Sequence, residues 1–200
     1  ESDVAAMADL PFVESASGIL SGQANAVSEE ANWVTNIQGG NASFFAVNNW
    51  KVEEGREFTE QEAQGGAAVV VIGKTAAANL FPDGNVVGQR IRVNSVPVEV
   101  IGVLESKGQG GGGGMGMDRD DTLVGPLSMV RNRITGGNRW VSRHVSRIQL
   151  LIQDGYDVAE AQDEATTVMR ERHRIEPGQQ DNFMAVNVAD VIKQRAAVAE

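Results

Sequence analysis

From Ala67 to Ile72 the chain is continuously apolar and rich in β-branched residues, the pattern of a strand buried on both faces. Gly73 interrupts it, and Lys74 to Phe81 reads as a helix, so the spacing predicts strand, tight turn, helix. Phe12 to Val27 alternates weakly and is broken by glycine, which predicts a long, twisted or bulged strand. Its candidate partner is Ala31 to Gln38, across a turn at Ser28-Glu29-Glu30. In Gln89 to Asn94 the apolar positions Ile91 and Val93 share one face, Asn94-Ser95 marks a turn, and Val96 to Leu104 returns. That combination predicts a hairpin.

The two ends of the chain carry a different pattern. Ser2 to Leu10 reads as a short helix capped by Ser2 or Asp3 and stopped by Pro11. Arg147 to Ile152 reads as a strand, and Asp157 opens a helix with Glu160 three residues on, a capping-box-like pair. Val158, Ala161, Ala165, Val168 and Met169 recur at helical spacing, so this helix is amphipathic with one inward stripe. Phe183 to Val188 is expected as a following strand, completing β-α-β, and Ala189 to Val198 as a last helix.

Charge and composition then narrow the function. A net charge of −10 over 200 residues opposes binding to nucleic acid or anionic lipid, since both would repel the surface. Cysteine is absent, which excludes disulfides, zinc–thiolate sites and cysteine nucleophiles. No stretch approaches the roughly 18 to 20 continuous apolar residues that span a bilayer. The first residue is Glu1, so the expectation is a fragment or a processed product.

Several clusters imitate chemistry. Gly73-Lys74-Thr75 resembles the end of a phosphate-binding loop, but the glycine required five positions earlier is Ala68 and no loop separates strand from Gly73, so a tight turn is expected. Asp118, Asp120 and Asp121 suggest hard-cation ligands, yet the loop glycine and distant glutamate of a calcium-binding loop are missing, which favours turn-forming aspartates. His144 and His173 each lie beside arginines, which would lower their proton affinity, and neither has a serine at the spacing of a known nucleophile motif. Arg170, Arg172 and Arg174 favour the negative end of their helix, with Glu176 and Asp181 as candidate partners. No catalytic, cofactor or metal residue is assigned.

Two segments are open to contrasting readings. Gly108 to Met117 is either a mobile connector or a contact element tipped by Met115 and Met117. Arg131, Arg133, Arg139, Arg143 and Arg147, with Trp140 among them, form either a solvated face or a protein-interaction surface, because Arg and Trp recur at binding hot spots. The candidate partner contacts are therefore Met115, Met117, Arg139, Trp140 and Arg143.

Short motifs in fixed order connect these elements: Glu54-Gly55-Arg56-Glu57-Phe58-Thr59-Glu60, Val69-Val70-Val71-Ile72-Gly73, Leu80-Phe81, Val87-Gly88-Gln89-Arg90-Ile91-Arg92, Val100-Ile101-Gly102-Val103-Leu104, and Arg170-Glu171-Arg172-His173-Arg174-Ile175. With Asp118-Arg119-Asp120-Asp121 and Asp181-Asn182-Phe183, this series resembles the extracytoplasmic core domain of MacB-type ABC transporter permeases, over nearly the whole chain. The resemblance implies an α+β fold of α/β type. A porter-like β-α-β subdomain is formed by both chain ends, residues 1–28 and 143–200, and a mixed α/β sabre-like subdomain, residues 29–142, is inserted between them.

The resemblance further implies a domain on the periplasmic or extracellular side of the cell membrane, between two membrane helices that flank residues 1 and 200. The family places a strand before the first helix, so one sheet edge is expected to be missing or otherwise filled. The implied role is to transmit ATP-driven motion during export or extraction of a macrolide, peptide or lipoprotein, with no enzymatic activity and no cofactor of its own. Implied partners are a cytoplasmic ATPase domain or subunit, a second permease copy and a periplasmic adaptor. An extracytoplasmic ligand-binding or sensor domain is the alternative, and would show an apolar pocket with convergent polar groups.

Overall fold

A computed structural model describes residues 2–108, 118–135 and 145–186. In chain order the elements are α1 (Ser2–Ala8), β1 (Val13–Val27), β2 (Asn32–Gly40), α2 (Phe44–Val47), β3 (Val52–Gly55), α3 (Glu60–Gly65), β4 (Val69–Ile72), α4 (Lys74–Leu80), β5 (Arg90–Val93), β6 (Val96–Leu104), β7 (Thr122–Pro126), α5 (Leu127–Met129) running into a π-helical turn at Val130–Ile134, β8 (Arg147–Ile152) and α6 (Val158–Arg172). The long strand, its partner, the buried strand with its helix, the hairpin and the C-terminal strand and helix all form where the sequence pattern places them.

Contacts divide the chain into two compact units. Unit 1 contains Ser17–Gln149, and unit 2 contains Ser2–Ala16 together with the residues from Leu150 onward. Residues 17–28, placed by the sequence reading with the chain ends, pack in unit 1, because Leu20 to Val27 ladder antiparallel with β2 from Gly39 to Asn32. Residues 145–149 lie on the unit 1 side of the division for their part.

Within unit 1, hydrogen-bonded neighbours run β2-β7-β4-β6-β5-β1, and β1 also pairs with β2, so the path closes into a six-stranded ring. The ring is mixed: β2 with β7 and β4 with β6 are parallel, the other pairs antiparallel. Closure between β5 and β1 is short, Ala26 with Val93 and Val27 with Arg92. Asn94 extends it, since the Asn94 amide donates to Asn25 O at 2.9 Å and the Asn25 amide donates to Asn94 Oδ1 at 2.8 Å. Asn94 and Ser95 both have positive φ, 47° and 72°, the backbone that a two-residue hairpin needs to match strand twist.

The apolar run of β4 is explained by burial on both sides. Val70 and Ile72 join Ile37, Ile91, Val98, Val100 and Leu123 in one cluster, while Val71 joins Phe44, Phe45, Trp50, Phe58, Ile101 and Val124 in a second. Period-two alternation thus distributes successive residues between two cores. Each such residue contributes about 1.5–3 kcal/mol on full burial. Glycine is required where helices approach the strands: a Cβ on Gly39 would lie 2.9 Å from Val130 Cβ, and one on Gly40 2.8 Å from Phe44 Cδ2.

Unit 2 is smaller. Phe12, Val13, Ala16 and Ala161 are buried together, with Val4, Leu10, Leu150 and Ile152 partly buried against them. On α6 the inward stripe holds for Ala161, but Val158 is 42% exposed. Asp157 caps α6, its Oδ1 accepting from the amides of Ala159 and Glu160. Asp3 lies within the first turn of α1 rather than capping it, and its carboxylate is committed to Arg172 and His173.

The expected strand over Phe183 to Val188 does not form in its described part, residues 183–186. Ala185 O accepts from Gln162 Nε2 of α6 at 3.1 Å instead of from a ladder partner, and Phe183 turns its ring edge-on to His173. A short apolar run becomes a strand only where a neighbouring strand supplies the ladder. The expected helix at 189–198 lies outside the described residues.

Two outcomes follow for unit 1. Gly73 has φ −77° and ψ 159°, open to any residue, but a Cβ there would sit 2.2 Å from Asp120 O. Gly73→Ala is therefore expected to cost more than about 2 kcal/mol. Gly65→Ala, with nothing within 4 Å of the added methyl, is expected to leave stability unchanged or raise it by up to about 1 kcal/mol. Thermal denaturation followed by circular dichroism separates the two, and equal melting temperatures would refute the close-approach argument.

The second outcome concerns acid. α3 begins with a full capping box between Thr59 and Glu62, and Arg56 makes a two-pronged contact with the same carboxylate, 2.8 Å at each oxygen. Arg56 first, then the Thr59 amide, hold the Glu62 carboxyl down to about 2. A depressed carboxylate stabilises the fold fully above its ordinary value of 4.5 and loses that contribution as pH falls toward 2. Glu62→Gln keeps the cap geometry but not the charge, so urea unfolding should show the variant weaker at pH 7 and level with the parent near pH 2.

Candidate functional site

The polar groups that sequence spacing nominates converge on the turn after β4. Gly73 N donates to Thr122 O at 2.9 Å, and Asp120 O accepts from the amides of Thr75 at 3.2 Å and Ala76 at 3.4 Å. The first amides of α4, which would cradle a phosphate in a nucleotide-binding loop, are thus spent on a protein carbonyl. Lys74 points outward to Glu53 at 3.0 Å, an exposed pair of little energetic value. The strand-turn-helix is structural.

Each nominated aspartate has a separate set of partners. Asp118 Oδ1 accepts from the Asp120 amide at 2.9 Å and Oδ2 from the Thr75 hydroxyl at 2.7 Å. Asp120 accepts from the Ser106 hydroxyl and from the amides of Lys107, 2.8 Å, and Gly108, 3.2 Å. Burial alone would raise its carboxyl pKa, but those three donors outweigh it and hold it below the ordinary value. Asp121 Oδ1 accepts from Trp33 Nε1 at 2.9 Å and Thr35 Oγ1 at 2.6 Å on β2. Their oxygens are directed at protein donors on three different elements, not at one point where a cation would sit. Among the described residues no group of three or more His, Cys, Asp or Glu is arranged to hold a metal ion.

Sequence reading missed Lys107. Its ammonium caps the end of α2 by donating to Asn48 O at 3.2 Å and to Asn49 O, where φ is +46°. No spacing rule relates residues 58 positions apart. The five residues nominated for partner contact, Met115, Met117, Arg139, Trp140 and Arg143, lie outside the described residues, as does His144. Of the basic segment, Arg133 is exposed, but Arg131 is only 6% exposed and belongs to the packed π-helical turn, not to a solvated face.

In unit 2 the arginines at the end of α6 find the expected kind of partner and one that sequence did not suggest. Arg170 pairs with Asp181 and also donates to Glu176 O at 3.1 Å, whereas Arg172 Nε reaches Asp3 at 2.8 Å. His173 reverses the expectation set by its flanking arginines. A hydrogen bond to Asn182, and then Asp3, raise its proton affinity above the ordinary histidine value despite some burial. Of two surface clefts, one of about 550 Å³ is bounded by Arg56, Thr59, Glu62, Gly65 and Ala67 and is open and mixed in character, and one of about 360 Å³ bounded by Glu29, Glu30, Asp83 and Arg90 is mainly polar. No helix among the described residues is long and apolar enough to cross a membrane.

A family model described as the MacB-like periplasmic core domain matches residues 1–168. The macrolide export ATP-binding/permease protein MacB of Bdellovibrio bacteriovorus is 32% identical over 161 residues, 80% of this chain and 23% of that protein. The pyoverdine export ATP-binding/permease protein PvdT of Pseudomonas syringae pv. tomato is 32% identical over 188 residues, 94% of this chain and 27% of that protein. The chain thus spans about a quarter of the length of these relatives. Among solved structures, the periplasmic region of MacB from Actinobacillus actinomycetemcomitans superposes with a TM-score of 0.79 at 25% identity, covering 98% of this chain and 81% of that one. The extracellular domain of the Gram-positive transporter YknZ shares the fold, with a TM-score of 0.73 at 19% identity over 94% of this chain and 88% of that one. With the family model matching most of the chain and the α+β fold shared, this chain belongs to the MacB-like periplasmic core domain family of ABC transporter permeases.

Proposed function

We propose that the chain is the extracytoplasmic, non-enzymatic part of a permease subunit that relays ATP-driven motion to a substrate of the macrolide, peptide or lipoprotein class. The observation that carries this reading is the meeting of Ser2–Ala16 with the described residues 150–186 in one compact unit, with Ser17–Gln149, which lies between them in sequence, as a unit of its own. A domain spliced between two membrane helices needs its early and late segments to pack together. The ring of unit 1 also suits a relay, because six strands paired into a closed cycle move as a body. Its aspartates and first α4 amides are committed to internal hydrogen bonds, which favours a mechanical over a chemical role.

On this reading a cytoplasmic ATPase domain or subunit drives the motion, a second permease copy completes the transporter, and a periplasmic adaptor receives it. Met115, Met117, Arg139, Trp140 and Arg143 are the residues proposed to contact that adaptor or the second copy. The chain sits outside the cell membrane, held by flanking helices.

The absence of cysteine makes the test direct. Asn85 is exposed, so Asn85→Cys in an otherwise cysteine-free full transporter accepts one spin label per permease copy. The distance between the two labels, read by double electron–electron resonance, is expected to differ between nucleotide-free and ATP-bound transporter. An unchanged distance through a cycle in which substrate is still exported would overturn the relay.

A further inference from the structure

His173 is the last residue of the α6 turn system, and both nitrogens of its ring face oxygen acceptors. Nδ1 lies 2.7 Å from Asn182 Oδ1, in the segment after α6, and Nε2 lies 3.3 Å from Asp3 Oδ2 on α1. A neutral imidazole carries one N–H and one lone pair, so it can donate to only one of these oxygens and must turn a lone pair toward the other. The imidazolium donates to both. The ring also closes edge-on against Phe183, centroids 5.9 Å apart, which fixes its plane.

The backbone adds a second preference in the same direction. Arg174 adopts φ +55°, and Ile175 N donates to Arg170 O at 2.9 Å, a left-handed helix end that places His173 as the C-terminal cap of α6. There the negative end of the helix dipole favours a cation. We propose that His173 is a proton-operated latch within unit 2: its protonated ring, and not its neutral ring, ties α1 through Asp3 and the 176–186 segment through Asn182 to the end of α6.

The charged groups around the ring are consistent with this balance. Asp3 comes from α1, and its other oxygen accepts from Arg172 Nε at 2.8 Å, so the Arg172 charge opposing protonation is largely answered by that carboxylate. Arg174 follows on the turn, and Asp181, next to Asn182, is engaged by Arg170. Arg172 first, and His173 after it, hold the Asp3 carboxyl below its ordinary value, while Asn182 and Asp3 hold the His173 imidazolium above its own. A raised histidine stabilises the fold fully below its ordinary pKa of 6.5 and loses that contribution as pH rises through the folded value. A depressed aspartate stabilises above 3.8 and fails as pH falls below it. The latch is therefore closed in the window from about pH 4 to about pH 6.5 and releases on the alkaline side.

This inference stands without the transporter reading. Where that reading holds, proton concentration outside the membrane sets how firmly α1 and the 176–186 segment are tied to the end of α6.

The chain has two histidines, so His144→Gln leaves His173 as the one imidazole to observe. Nitrogen-15 and carbon-13 NMR of that ring across pH 4 to 9 is expected to give a titration midpoint above about 6.5, both ring nitrogens hydrogen-bonded at pH 5.5, and a midpoint lower by about 0.5 or more in Asp3→Asn. Thermal unfolding should show a higher melting temperature at pH 5.5 than at pH 8, and His173→Gln, which keeps one donor but no charge, should flatten that difference. A midpoint at or below about 6.5, or a neutral ring at pH 5.5 with the Asn182 amide turned to donate to it, would overturn the latch. So would a pH dependence of melting that is the same with and without His173. The titration is read on the unaltered ring and does not require the His173 variant to fold.

Discussion

Unit 1 depends on one close approach. At the exit of β4 the backbone of Gly73 packs against the carbonyl of Asp120, with room for a hydrogen and not for a methyl. That contact lets a single carbonyl accept from the first amides of α4, lets Gly73 N bond to Thr122 O, and so brings β7 alongside β4 in antiparallel register, Val71 with Val124 and Ile72 with Leu123. Without β7 in that place β2 would have no parallel neighbour, and the path from β2 through β7 and β4 to β6 would be open. The turn that imitates a nucleotide site is thus the joint on which the closed sheet is built.

Closure has a consequence for burial. Strands β4, β6 and β7 face one apolar cluster on one side and a second, which includes α2 and α3, on the other, so they carry apolar residues at consecutive positions and lose the polar alternation of a half-buried strand. Polar groups at the rim must then satisfy one another. Asp118, Asp120 and Asp121 do so with Thr75, Ser106, Trp33 and Thr35, and an unmade bond at any of these positions leaves a desolvated group whose cost is about 1–3 kcal/mol. A carboxylate cluster read in isolation as a cation site is, in place, a set of cross-links between β2, α4 and the chain before β7.

Unit 2 is held differently. Its apolar cluster is small, and a large share of its definition comes from charge and hydrogen bonding at the end of α6, where Arg170, Arg172 and His173 reach Asp181, Asp3 and Asn182. Apolar burial is insensitive to pH, whereas these contacts are not. Two units of one chain therefore respond to acid and base through different groups, Glu62 and Asp120 in the first, Asp3 and His173 in the second.

Sequence alone determined the elements whose causes are local. Continuous β-branched residues made β4, Asn94-Ser95 made the hairpin, Asp157 capped α6, and the ordered series of short motifs carried the family, because each rests on residues within a few positions of one another. Tertiary structure decided what depends on distant partners. Phe183 to Val186 is a short apolar run of the kind that reads as a strand, yet its carbonyl at Ala185 goes to Gln162 and no ladder forms. His173 sits between arginines that would weaken its hold on a proton, yet Asn182 and Asp3, the latter 170 residues away in sequence, reverse the sign. Arg131 looks like a surface cation and is buried in a π-helical turn. Periodicity and turn chemistry act over one or two turns of chain and can be read from it; ladder partners, ion pairs and pKa values are set by groups that only the folded chain brings within a few ångströms.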